Sequence, residues 1–117
     1  MRNLLFLFIC LAVPAGAQEV TSGAGAVLRA LDKTSGDTVD IEISRGQSRR
    51  LGRLQVVLGD CRYPAGNPSG DAYAALEISE TGTAGTLFSG WMIASAPALS
   101  ALEHQRYDIW VIRCITA

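Results

Sequence analysis

Apolar and polar residues alternate most cleanly over 38–43, where Val39, Ile41 and Ile43 are separated by Asp40 and Glu42. A period of two puts the apolar set on one face and predicts a half-buried strand. Before it, 26–32 (AVLRALD) enters a strand and 33–37 (KTSGD) turns it back. After it, Arg45-Gly46-Gln47 turns the chain into 48–51 (SRRL) and, past Gly52, into 53–63 (RLQVVLGDCRY). Gly59 within that run marks a bulge that reorients Cys61. Two prolines and two glycines make 64–70 (PAGNPSG) a surface loop. Strand character resumes over 73–80, with Ala74, Leu76 and Ile78 on one side, and 81–85 (TGTAG) turns it into TLFSGWMIA. The last strand, 107–115, carries Ile109 and Val111 on one face and Trp110, Ile112 and Cys114 on the other. Both faces are largely apolar, so the strand is expected to be covered on both sides, with Trp110 in the core.

One stretch reads as helix. Ser95 is placed to accept hydrogen bonds from a first turn, Pro97 suits that turn, and Leu99 and Leu102 fall three apart. A helix of about two turns over 97–103 follows, too short to stand alone and therefore packed on the sheet. Short strands punctuated by turns at this cadence predict an all-β fold. The expected form is a small antiparallel β-barrel or sandwich, with one short helix before the last strand and one disulfide.

The N-terminus changes the setting. Residues 1–17 hold one cation at Arg2, an apolar run over 4–13, Pro14, and an Ala15-Gly16-Ala17 close. This is the layout of a secretory signal peptide, cleaved between Ala17 and Gln18, and it predicts a periplasmic protein. Cys10 leaves with the signal. Residues 18–25 (QEVTSGAG) have nothing to bury and are expected to be a flexible leader to a single β domain over 26–117. No second apolar run follows, so stable membrane insertion after cleavage is not expected. About 100 residues remain, one domain's worth. Without Arg2 they carry nine Lys and Arg against eleven Asp and Glu, which gives no nucleic-acid footprint.

An exported chain meets oxidant, and an even pair of cysteines in a small domain is most simply a disulfide between Cys61 and Cys114. Intermolecular pairing and free thiols are the alternatives. Their separation of 53 positions excludes a CxxC redox motif and offers no zinc spacing.

Candidate chemistry is sparse. An enzyme would use Glu103-His104 and Asp108 with Ser89, Ser95 or Ser100 as nucleophile, yet no GxSxG elbow or Ser-x-x-Lys is present. Glu103 and His104 are expected instead to end the short helix, the histidine meeting its terminal carbonyls. No catalytic residue, metal ligand or cofactor is expected, and 32–37 (DKTSGD) is a hairpin turn rather than a calcium loop. Arg45, Arg49, Arg50 and Arg53 form a dense group along one hairpin. They are expected to face Asp40 and Glu42 across the turn; otherwise they offer a cationic stripe to anionic envelope polymers or lipid head groups. Trp91, preceded by Gly90, is either core or an exposed contact residue. With the four arginines it completes the candidate interaction surface.

The strings RALDKTSGDTVDIEISRGQS, LGRLQVVLGDCRYPAGNP and FSGWMIASAPALSALEHQRYDIWVIRC resemble a family of small exported bacterial proteins, the domain of unknown function 2155. The likeness spans 27–114. Ala96-Pro97-Ala98-Leu99 stands where the family pattern reads Ser-Pro-Ala-Leu, and Gln105 where proline is common. The resemblance implies an envelope protein of Gram-negative bacteria and supports the Cys61–Cys114 pairing. It implies no activity. The expected function is thus a non-enzymatic periplasmic module that binds another envelope component, a protein or polymer, with a protein favoured. The alternatives are a small enzyme inhibitor that inserts loop 64–70 into a cleft and, behind it, a cell-wall hydrolase.

Overall fold

The computed structural model describes residues 19–116; the expected signal over 1–17 and its expected cleavage site before Gln18 lie outside the described residues. Eight strands follow in chain order: β1 (Val20–Ser22), β2 (Gly25–Asp32), β3 (Thr38–Ser44), β4 (Ser48–Leu51), β5 (Leu54–Pro64), β6 (Tyr73–Glu80), β7 (Phe88–Ile93) and β8 (Tyr107–Ile115). All pairings among them are antiparallel. One sheet runs β1-β5-β6-β7, with β4 on the first half of β5 and β1 on its last three residues. The other runs β3-β2-β8. The strands thus divide between two sheets and do not close into a barrel.

Alternation builds the core. Leu54, Val56 and Leu58 of β5 and Ala74, Leu76 and Ile78 of β6 are buried, and so are Leu28 of β2, Ile41 and Ile43 of β3, and Ile109 and Val111 of β8. They form one cluster between the sheets. Burying this apolar set is the main force holding two otherwise thin sheets together.

Two bulges decide where the cysteines point. In β5 the register with β6 shifts between Leu58 and Asp60, so Gly59 is the extra residue. In β8 the partners of Leu28 and Val27 are Val111 and Arg113, so Ile112 is extra. Each shift turns the following cysteine to the inner face, where strict alternation would have pointed it outward. Cys61 and Cys114 are both buried and bonded, with Cα atoms 5.7 Å apart. The disulfide joins the two sheets.

The bulge at Ile112 also corrects the expected faces of the last strand. Cys114 joins Ile109 and Val111 inside, whereas Trp110 and Ile112 lie on the outer face and are half-buried. β8 is therefore covered fully on one face only, and Trp110 is not a core residue. The expected helix over 97–103 is reduced to a single 3-10 turn, Pro97–Leu99. Its intended cap, Ser95, is spent elsewhere: its backbone N–H and hydroxyl both donate to the Asp71 carboxylate. Within 18–25, expected to be a leader, Val20–Ser22 forms β1 and pairs with Arg62–Pro64 of β5. Gly23 and Ala24 then donate to the carbonyls of Cys61 and Ile115, carrying the chain from one sheet to the other.

The connection from β7 to β8 runs the length of the sheet, from the Ser95–Asp71 contact beside the start of β6 to the His104–Glu80 contact at its end. Leu102 plugs the core between them. This segment shields the flank where β7 and β8 would otherwise leave the core open.

Candidate functional site

The face with the most unusual composition is the outer side of the five-stranded sheet. On β6, the residues that alternate with Ala74, Leu76 and Ile78 point outward, which places Tyr73 there with Ala75 and Glu77. The register sets Arg62 of β5, Tyr73 of β6 and Ile93 of β7 in one row, and Asp60, Ala75 and Trp91 in the next. Val20 of β1 reaches the same side. Val20, Arg62, Tyr73, Trp91 and Ile93 line a shallow, largely apolar hollow. A second hollow lies on the other side of Trp91, lined by Gly59, Ala75, Glu77, Ser89 and Gly90 among others. The Trp91 indole is a ridge between the two.

Trp91 is 41% exposed and Val20 44%. A large aromatic ring left that open on the outer face of the edge strand β7 forgoes burial worth about 2 kcal/mol. The Arg62 guanidinium lies 4.9 Å from the ring centroid in a cation–π contact that favours this orientation by about 0.5–1 kcal/mol. Arg62 is held in turn by Asp60, whose Oδ2 accepts from Arg62 Nε at 2.8 Å and from the Ser22 hydroxyl at 3.2 Å. Partial burial opposes ionisation of Asp60, but these hydrogen bonds and the Arg62 charge outweigh it and keep the carboxyl below its ordinary range. The result is a hydrogen-bonded aromatic and cationic surface carried by three neighbouring strands.

The arginine group lies at the opposite edge of the sheet. Arg49 donates to the backbone carbonyl of Glu42 at 2.9 Å, and Arg53 approaches Glu80 at 3.8 Å. Asp40 is bound instead by Arg29, through Nε at 2.7 Å and a second nitrogen at 3.0 Å. The expected pairing of these arginines with the Asp40 and Glu42 carboxylates is therefore absent among the described residues. β2 had a better-placed competitor for Asp40, since Arg29 is its direct cross-strand partner.

His104 does not sit at a helix end. Its Nδ1 accepts the backbone N–H groups of Arg106 at 3.0 Å and Tyr107 at 3.2 Å, which assigns the ring proton to Nε2, 3.2 Å from Glu80 Oε2. Both ring nitrogens are thus engaged, and the ring packs against Tyr107. The Ser95 hydroxyl donates to Asp71, and among the described residues the hydrogen-bond partners of His104 are Lys33, Glu80, Arg106 and Tyr107. Nearby, the Thr34 hydroxyl and the Arg106 guanidinium hold the Asp32 carboxyl far below its usual range. These groups fasten the start of β8 to the β2–β3 turn. At the adjoining β4–β5 turn, Gly52 takes a positive φ of 57°, and a side chain there would overlap the Tyr107 hydroxyl.

Of the residues expected at an interaction surface, Trp91 and the four arginines are exposed but lie at opposite edges of one sheet. Cys61 and Cys114 come together as expected. Arg62, Tyr73, Ile93 and Val20 were not anticipated. Tyr73 was findable from its parity against Ala74 and Leu76. Arg62 was findable too, because the bulge read at Gly59 turns Cys61 inward and so Arg62 outward.

The family described as an uncharacterized protein conserved in bacteria, DUF2155, matches residues 26–114. The chain belongs to the DUF2155 family. An uncharacterized protein of Rickettsia prowazekii (strain Madrid E), RP359, is 28% identical to it over 88 residues, covering 73% of this chain and 57% of that protein. The chain thus matches little more than half the length of this relative. No solved structure matches. The DUF2155 match begins at Ala26 and ends at Cys114, so it takes in β2 to β8 but for one residue at each end, includes Cys61 and Cys114, and leaves out β1.

Proposed function

We propose that this DUF2155 chain is a periplasmic, non-enzymatic β-sandwich module that binds another protein of the cell envelope through the Trp91 face. The observation that carries the reading is the exposed indole, stacked on Arg62 and standing beside a shallow hollow lined by Tyr73, Ile93 and Val20. Tryptophan, tyrosine and arginine are the side chains that dominate protein–protein binding energy when a partner covers them. Here they are pre-positioned, so little side-chain entropy is lost on docking. The layout of the signal peptide supports export, and the engagement of both His104 nitrogens supports a structural role for that residue.

An inhibitor acting through loop 64–70 has less support. That loop is folded on itself by the N–H of Asn67 to Pro64 and of Gly70 to Asn67, and the large exposed apolar residues of the described chain lie outside it.

Photocrosslinking in intact envelopes tests the proposal. A probe replacing Ser89, beside Trp91, is expected to give a discrete protein adduct, while one replacing Glu42 on the opposite sheet is not. Adducts of equal yield from both positions, or from Asn67 in the loop instead, would reject this face.

A further inference from the structure

The β3–β4 corner carries charge that the fold does not use. Every residue from Ser44 to Arg50 is exposed. Among the described residues Arg45 and Arg50 have no acidic partner within ion-pair distance, Arg49 is satisfied only by a neutral carbonyl, and Arg53 shares Glu80 at the long distance of 3.8 Å with His104. The acids nearest in sequence are turned away: Asp40 and Glu42 alternate with the buried Ile41 and Ile43, so they lie on the outer face of the three-stranded sheet, where Asp40 is bound by Arg29. A chain with a net charge of −1 therefore concentrates four guanidinium groups on one hairpin.

We propose that this hairpin is an adsorption surface for an anionic lipid bilayer, with Arg45 and Arg50 contacting head-group phosphates. Charge complementarity selects an anion, since guanidinium groups pair bidentately with phosphate and are only weakly hydrated. The absence of an apolar anchor selects a lipid surface over a protein. Gly46, Gln47, Ser48, Leu51 and Gly52 are the residues between the arginines; Leu51 is packed against the core, and the others do not supply the desolvated apolar centre that a specific protein interface needs. A row of head groups needs only mobile cations at a convex edge. The hairpin lies three strands from β7, about 14 Å across the sheet. A molecule resting on lipid through β4 leaves Trp91 free, so this surface does not depend on the protein-binding reading.

Cosedimentation of the exported protein with vesicles tests the inference, using phosphatidylglycerol mixed into phosphatidylcholine against phosphatidylcholine alone. Partitioning is expected only to the anionic vesicles and is expected to fall as salt rises. Each of Arg45→Gln and Arg50→Gln should weaken it about fivefold and the pair about twentyfold. Arg113→Gln, an exposed arginine on the other sheet, and Trp91→Ala should leave it unchanged. Equal binding to neutral vesicles, an equal loss from Arg113→Gln, or retention on a soluble sulfated polysaccharide that anionic vesicles do not compete for would overturn it. The last result would assign the arginines to a polymer.

Discussion

Replacing Cys61 and Cys114 together by alanine removes the disulfide cross-link between the two sheets, and the structure sets the size of the effect. The bond closes a loop across a separation of 53 positions. In the chain-entropy view, opening such a loop frees the unfolded chain by about 4 kcal/mol. That is an upper figure, because residual structure in the unfolded chain reduces it. Both side chains are buried, at 0% and 3% exposure, so lost packing adds to the cost. A domain this size has a net stability of about 5–10 kcal/mol, and each kcal/mol moves its melting temperature by about 4–8 degrees. Circular dichroism of the double variant should therefore show melting at least about ten degrees below the parent, with the parent in reductant behaving alike. Melting within about three degrees of the parent would refute the reasoning, as would cysteines that titrate as free thiols in exported protein.

His104→Ala should cost about 1–2 kcal/mol in denaturant unfolding, since it leaves the N–H groups of Arg106 and Tyr107 without their acceptor; a loss of some catalytic activity by orders of magnitude in folded protein would return the enzyme reading. The carboxyls of Asp32, Asp60 and Asp71 are held below their ordinary value of 3.8 in the fold. Their stabilisation is present above that value and is lost as pH falls through the lower folded values, so the melting temperature should hold from about pH 7 to 5 and drop below about pH 4. A rise in stability on acidification below that point would contradict it. N-terminal sequencing of exported material should begin at Gln18, and an intact Met1 or a lipid-modified Cys10 would refute the export signal.

Where turns bracket an apolar-rich run, the bounds of the strand were readable: β6 and β8 begin and end where their patterns imply, and the turns at 33–37, 45–47 and 81–85 are where glycine and polar residues put them. Gly59 was legible as a bulge because glycine marks one. Ile112 was not, since nothing in YDIWVIRC distinguishes an extra residue from an alternating one, and the face of Trp110 was misassigned as a result. The three residues of β1 carry no pattern; only the far end of β5 gives them a partner. Ser95 looked like a cap because its competing acceptor, Asp71, is 24 positions away in sequence. The exposure of Trp91 was equally hidden, because it depends on which residue of β7 pairs with Ala75. The arginines were visible, but the identity of their partners was decided by Arg29 on a strand their hairpin does not contact through pairing.

The most direct test of the central claim is the affinity of the protein captured from the envelope, measured by calorimetry against the parent and Trp91→Ala. Trp91 contributes to a surface ridge and not to the buried cluster, so the variant should melt within about two degrees of the parent. If the Trp91 face is the docking surface, removing its central anchor should weaken binding by at least about 2 kcal/mol, roughly thirtyfold. Unchanged affinity in a variant that folds as the parent does would contradict the account.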